Sequence, residues 1–278
     1  MDRELALVLL TLAVTGPILL AAASWPQRYQ PPASARHWER IAWRALWMPT
    51  FPAAVAVATL VGWAVFEPPD AEFLPSSVIA TSAVFAGIWI RALIRAARAT
   101  RRPKSMPPAS SLGLWHPRIV LSEDLTARLD ADALEAVNAH ETAHVRHHDP
   151  LRIWLAQVAT DLQWPSRDAR KRFDDWRRVL ELARDEEARQ DGIDGADLAA
   201  AILVAASSNM ISVRGAALIG NRSALQDRIT RLLSPLPPDV LGRSRMPTLA
   251  LVPTCLLSAA SGARFGESMI QILIRALP

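Results

Sequence analysis

Val137-Asn138-Ala139-His140-Glu141-Thr142-Ala143-His144-Val145 sets two histidines four residues apart around a glutamate. On a helix, positions i and i+4 stack one turn apart on one face, so His140 and His144 can offer two imidazole nitrogens to one metal ion. Glu141 sits beside them, placed to take a proton from a water held there. A site of this kind needs a third protein ligand, and it becomes catalytic when the fourth position stays open. This stretch therefore demands a helix here and a second element that brings the third ligand to it.

The best source is Val179-Leu180-Glu181-Leu182-Ala183-Arg184-Asp185-Glu186-Glu187-Ala188, helical in composition, with Glu181 and Asp185 four apart on one face. A histidine third ligand of the metzincin kind would fall at position 150, which is Pro150. Glu181 is the expected ligand. Asp185, one turn on, is expected to accept a hydrogen bond from the outer nitrogen of a ligand histidine and so fix its tautomer. Two histidines and a carboxylate suit Zn2+, and His-Glu-x-x-His is the arrangement found in zinc peptidases.

Four stretches together resemble a known family. His140 to Asp149, Gly113-Leu114-Trp115-His116-Pro117-Arg118-Ile119-Val120-Leu121, Glu181 to Glu186, and Asp227-Arg228-Ile229-Thr230-Arg231-Leu232-Leu233 look like the BlaR/MecR-type membrane metallopeptidases, in the same order. The resemblance covers roughly Gly113 to Pro235. It implies a regulatory zinc endopeptidase with a gluzincin-like domain among four transmembrane helices, cleaving a cytoplasmic winged-helix repressor of the BlaI/MecI type. Two other readings stand beside it: a membrane quality-control protease resembling the Ste24/HtpX group, and a signalling scaffold whose metal site no longer turns over. One departure is plain. Sensors of this family can carry a large penicillin-binding domain after the last span, and this sequence ends at Pro278 without one.

The flanks fit a lipid bilayer. The chain has 278 residues, 51% of them hydrophobic, and a net charge of +4 carried almost wholly by arginine. Because the arginines border apolar runs, they point to membrane topology, and no direct nucleic-acid binding is expected. Leu5 to Ser24 is an uncharged run long enough to span and is read as retained, since Met1-Asp2-Arg3-Glu4 lacks the basic start of a signal peptide. Trp25 to Arg44, with Pro26, Pro31 and Pro32, is read as an irregular basic loop. Further spans are expected at Trp47 to Phe66, Phe73 to Ile94 and Met246 to Ala263, with Glu67 to Glu72 as an acidic turn outside. The positive-inside rule then puts both termini outside and Arg98 to Arg245 in the cytoplasm. The expected division is 1–97 for three spans, 98–245 for the peptidase domain and 246–278 for the fourth span and a tail lying on the outer surface. The lone cysteine, Cys255, excludes a disulfide framework and a thiolate zinc site.

Within the domain, Pro103 to Pro108 reads as a linker. Arg118-Ile119-Val120-Leu121 reads as a strand, either an ordinary structural one or an edge that pairs with an extended substrate. Asp130 is the expected N-cap of the zinc helix, whose buried side would use Leu134, Val137, Glu141 and Val145. Asp149 is expected to cap the next helix, with Leu151, Trp154, Leu155, Val158 and Leu162 as its buried stripe. Another helix buries Phe173, Trp176, Leu180 and Ala183. His147 and His148 are read as a solvated helix end, His37 and His116 as loop residues, and Leu198 to Val213 as a core or membrane-surface helix.

Overall fold

The computed structural model describes residues 3–25, 32–66, 74–100, 108–210, 217–238 and 248–276. The turn Glu67–Glu72, Arg243, Arg245, Tyr29, the end of the Leu198–Val213 segment and all of the Pro103–Pro108 linker except Pro108 lie outside them.

α1 (Arg3–Ala23) is an apolar helix long enough to cross a bilayer. It is followed by α2 (Ala35–Trp47) and α3 (Thr50–Phe66), two helices bent by 41° at their junction. The stretch Trp25–Arg44 is therefore not irregular throughout. Ser34 opens α2 as its N-cap, accepting from the His37 N–H, and all three prolines lie upstream of that cap, where they cannot interrupt the helix. His37 is thus helical and not a loop residue. The expected second span begins at Thr50, one bend later than the hydrophobic run suggests. α4 (Ser76–Ala99) is a second helix of spanning length, and the α2–α3 pair counts as a third if taken as one broken span.

Ala6, Leu10 and Ala13 of α1 pack against Leu60, Trp63 and Ala64 of α3, and Leu12 of α1 meets Phe85 and Ile88 of α4. The last helix, α11 (Thr248–Ala276), lies against α3 so closely that a Cβ on Gly62 would come 2.0 Å from the Ala259 carbonyl oxygen, and one on Gly262 would come 2.0 Å from that of Thr59. Small residues are what permit such backbone contact between apolar helices. The paired positions rise on one helix as they fall on the other, so the two run antiparallel.

The segment between α4 and the last helix forms a separate α-rich unit. β1 (Ala109–Leu112) and β2 (Arg118–Leu121) pair antiparallel with Ala109 opposite Leu121 and Leu112 opposite Arg118, which places the expected strand at its expected bounds. Gly113, at φ +103°, turns the chain between them where a Cβ would come 2.7 Å from the His116 carbonyl oxygen, a conformation that suits glycine. Then follow α5 (Glu123–Thr126), α6 (Ala131–Arg146), α7 (Asp149–Leu162), α8 (Arg167–Gln190), α9 (Gly195–Met210), α10 (Ala217–Leu232) and α11 (Thr248–Ala276). α11 contains Pro253 and runs unbroken to Ala276, so the tail after Gly266 is part of the helix and not a separate surface segment.

Two cores hold the unit together. Phe173, Trp176 and Leu180 of α8 bury against Ala156 and Ala159 of α7 and against Ala42 and Leu46 of α2. Fully burying a side chain such as Phe173 or Leu180 contributes about 1.5–3 kcal/mol, so α2 is fastened to α8 by more than its polar contacts. Ala136 of α6, Ala188 of α8, Leu198 of α9 and Leu232 of α10 form the other core, which makes α9 a core helix. The buried side of α7 differs from the expected stripe. Ala156, Ala159, Thr160 and Asp161 are buried, while Leu155 is exposed and Trp154 donates its indole N–H to the Ala96 carbonyl of α4. α7 packs on α4, and small residues win the tight face against α2 and α8.

Candidate metal centre

α6 starts where Asp130 accepts from the Ala133 N–H at 2.8 Å, as the sequence predicts. Its buried positions include Ala133, Ala136, Val137 and Ala143 together with His140, Glu141 and His144, whereas Leu134 and Val145 are only half-buried. The alanines let α8 and α9 close on α6, and that close approach brings Glu181 of α8 to the two histidines.

The three side chains converge. His140 Nε2 lies 3.1 Å from His144 Nε2 and 3.6 Å from Glu181 Oε2, and His144 Nε2 lies 3.9 Å from Glu181 Oε1. Ligand atoms about 2.0–2.1 Å from a tetrahedral zinc stand about 3.3–3.4 Å apart, so the triangle has the right size. The outer nitrogens are both turned to carboxylates. His144 Nδ1 donates to Asp149 Oδ2 at 2.9 Å, and His140 Nδ1 stands 2.9 Å from Asp185 Oδ1, off the line of a well-aligned hydrogen bond. With both Nδ1 atoms carrying hydrogen, two Nε2 lone pairs face each other at 3.1 Å. A shared cation would relieve that repulsion. The electrostatics agree: burial works to lower the His140 imidazole, but Asp185 and Glu181 outweigh it and raise it to about 9. His140, His144 and Glu181 are the group of the described residues that can hold a metal ion.

The carboxylates around the triangle are tuned to stay charged. Burial opposes ionisation of Glu181, yet the His140 contact and the Arg228 charge hold its carboxyl well below the usual range. Glu141 differs. Burial pushes its carboxyl up from the ordinary glutamate range, against the pull of His140 and His144. The Glu181 side chain is 35% exposed while those of His140 and His144 are under 10%, so the open side of the triangle is the one nearest Glu181.

Asp185 takes the predicted place beside His140. The sequence reading missed Asp149 and Arg228. Asp149 does not cap α7: the N-cap is His148, at φ 52°, and Asp149 turns inward, fully buried, to hold His144. A bidentate pair from Arg184, 2.5 and 2.9 Å, and one bond from Arg152, 2.9 Å, balance its charge. Burial resists that ionisation, but His144 and Arg184 keep the Asp149 carboxyl far below the ordinary range. Arg228 of α10 grips Asp185 with two bonds of 2.8 Å and lies 3.3 Å from Glu181, joining the third ligand to the partner of the first. The Asp227–Leu233 stretch held that signal: of its two arginines, Arg228 and Arg231, the first reaches Asp185 and Glu181. His147 is half-exposed but not merely solvated. Its Nε2 lies 2.8 Å from Glu187, which also takes Arg146 and so fastens the end of α6 to α8. His148 and His116 are exposed and stand apart from the triangle.

β1 and β2 sit on the first half of α6, where Ala109 and Leu121 pack against Ala133 and Val137. Arg118 and Val120 are exposed and Ile119 and Leu121 half-buried, and among the described residues β2 pairs with β1 alone, which leaves its other edge open.

Residues 102–232 match the family model described as BlaR1 peptidase M56, a stretch that ends on the last residue of α10 and contains every side chain of the triangle and its supports. No curated protein and no solved structure matches the chain. The domain over residues 102–232 belongs to the BlaR/MecR-type peptidase family.

Proposed function

We propose that this domain is a zinc metalloendopeptidase that cleaves a cytoplasmic winged-helix repressor of the BlaI/MecI type and so releases transcription. The observation that carries the reading is the His140–His144–Glu181 triangle, sized for a tetrahedral ion, with buried Glu141 beside it. Zinc bound there would polarise a peptide carbonyl and lower the pKa of water toward neutrality. Glu141 accepts the proton of the attacking water and returns it to the leaving amine. Asp149 and Asp185 hold the two imidazoles with Nε2 aimed inward, and Arg228 keeps Glu181 and Asp185 ionised at their stations. The open edge of β2, Arg118 to Leu121, takes the substrate backbone as an added strand, which fixes the peptide with hydrogen bonds that any sequence can supply. The arginines that follow α4 support a cytoplasmic domain, where such a repressor is found.

Co-expression of the full chain with a repressor of that type tests the reading. Wild type yields repressor fragments and reporter output, and Glu141→Gln yields neither. A Glu141→Gln variant that signals as well as wild type means proteolysis is not the output, and the scaffold reading takes over. Cleavage of many misfolded membrane proteins with the repressor left intact would favour a quality-control protease.

A further inference from the structure

α2 carries a buried acid that the chemistry above does not use. Glu39 is 6% exposed, and its Oε1 accepts from the Trp176 indole N–H at 2.9 Å and from the guanidinium of Arg152. Arg152 lies over the ring of Trp43, 4.6 Å from its centroid, and 5.6 Å from that of Trp176, so its planar head is confined between α2 and α8. Its other nitrogen donates to Asp149 Oδ1 at 2.9 Å, and Asp149 holds His144. An unbroken line of polar contacts thus runs from α2 through Arg152 and Asp149 to an imidazole of the triangle. The same helix is tied to α8 at its start, where Glu186 accepts from the Ser34 hydroxyl and the Ala35 N–H, both at 2.6 Å. α2 follows α1 in the chain and meets α3 at a 41° bend, so it is one of the elements through which the apolar helices reach this site.

We propose that Glu39 is a positioning residue for the metal ligand His144, acting through Arg152 and Asp149, so that the seating of α2 sets how well the triangle holds its ion. The proposal rests on the zinc reading of the triangle. The charge on Glu39 draws Arg152 away from Asp149 on one side and fixes its fork on the other. With that charge gone, Arg152 is free to shift onto Asp149, which changes where Asp149 meets His144. The stations are linked, so a displacement of α2 is felt at the imidazole without any contact between α2 and the ion.

The test uses the full chain in nanodiscs, with zinc affinity measured by competition against a chromophoric chelator and the ligand field read from the Co2+-substituted site. Glu39→Gln keeps an oxygen for Trp176 but gives up the charge. Loss of the partner next to a ligand costs about 10- to 100-fold in metal affinity, and one station farther out the expected loss for Glu39→Gln is about 3- to 10-fold, with a shifted Co2+ spectrum. Arg152→Gln is expected to lose at least as much. The double variant should be no worse than Arg152→Gln alone, because both act along one path. Unchanged affinity and spectrum in a folded Glu39→Gln or Arg152→Gln protein overturn the proposal, as does simple addition in the double variant. His144→Ala is the control for the zinc reading itself: if it binds zinc as wild type does, the triangle is not the site, and both fall together.

Discussion

At the level of single residues, the centre is a set of charges whose positions are fixed by their partners. Glu181→Ala removes a ligand and should strip most of the zinc, while Asp185→Ala should lower affinity about 10- to 100-fold, and elemental analysis of the purified protein separates the two. Arg228→Ala should fall in the same range as Asp185→Ala because it frees Asp185 and Glu181 at once. A lysine there cannot restore a two-pronged grip, so Arg228→Lys should recover little. Glu187 gives a pH prediction away from the ligands. Burial resists its ionisation, but His147, Arg184 and Arg146 prevail and lower its carboxyl to about 2. Its folded-state value is depressed, so its stabilising contribution is complete above the ordinary glutamate range, near 4.5, and is lost as pH falls from there to about 2. Thermal unfolding across that window should show a steep loss of stability in wild type and a flatter one in Glu187→Gln. The convergence of His140 and His144 and the Asp130 cap were legible because their signals are local: i+4 spacing on a helix, and a capping side chain next to the first turn. Asp149 was not. A sequence Asp-Pro reads as a cap, and only the left-handed His148 turns that aspartate under His144.

Helices and strands were legible in proportion to how strongly a local pattern constrained them. The strand Arg118–Leu121 and the run of α7 and α8 follow from β-branched content and 3.6-residue periodicity. α2 was hidden because prolines upstream of Ser34 drew attention from the amphipathic stretch after it. The buried side of α7 was misread because hydrophobicity points to large residues, whereas close packing on α2 and α8 selects Ala156 and Ala159. The α3–α11 contact depends on glycine in the same way. A side chain on Gly62 meets the Ala259 backbone and cannot move aside. Gly62→Val should therefore part the two helices and lower the thermal midpoint, while Gly87→Ala, where a Cβ meets open space, should not. Equal midpoints for the two variants would mean that α3 and α11 do not pack this way.

For the whole molecule, the peptidase domain grips the membrane-type helices at several places: Asp161 takes Arg95 of α4 at 2.9 Å, Arg172 donates to the Ala23 carbonyl at the end of α1 at 2.8 Å, and α2 lies along α8. The first two of these contacts fall at the C-terminal ends of α4 and α1. Cysteine labelling in a Cys255→Ser background should modify a site in Glu67–Glu72 from outside intact cells and leave one in Pro103–Pro108 untouched. The reverse pattern would invert the topology. Among the described residues the fold gathers one group that could hold a metal ion, and the most direct measurement is zinc content and peptide cleavage on the same preparation of Glu141→Gln. Glutamine keeps the size of the side chain but cannot accept the proton, so about one zinc per chain should remain while cleavage disappears. Cleavage that persists in Glu141→Gln, or zinc that leaves with the carboxylate, would contradict the assignment of Glu141 as the base and of His140, His144 and Glu181 as the ligands.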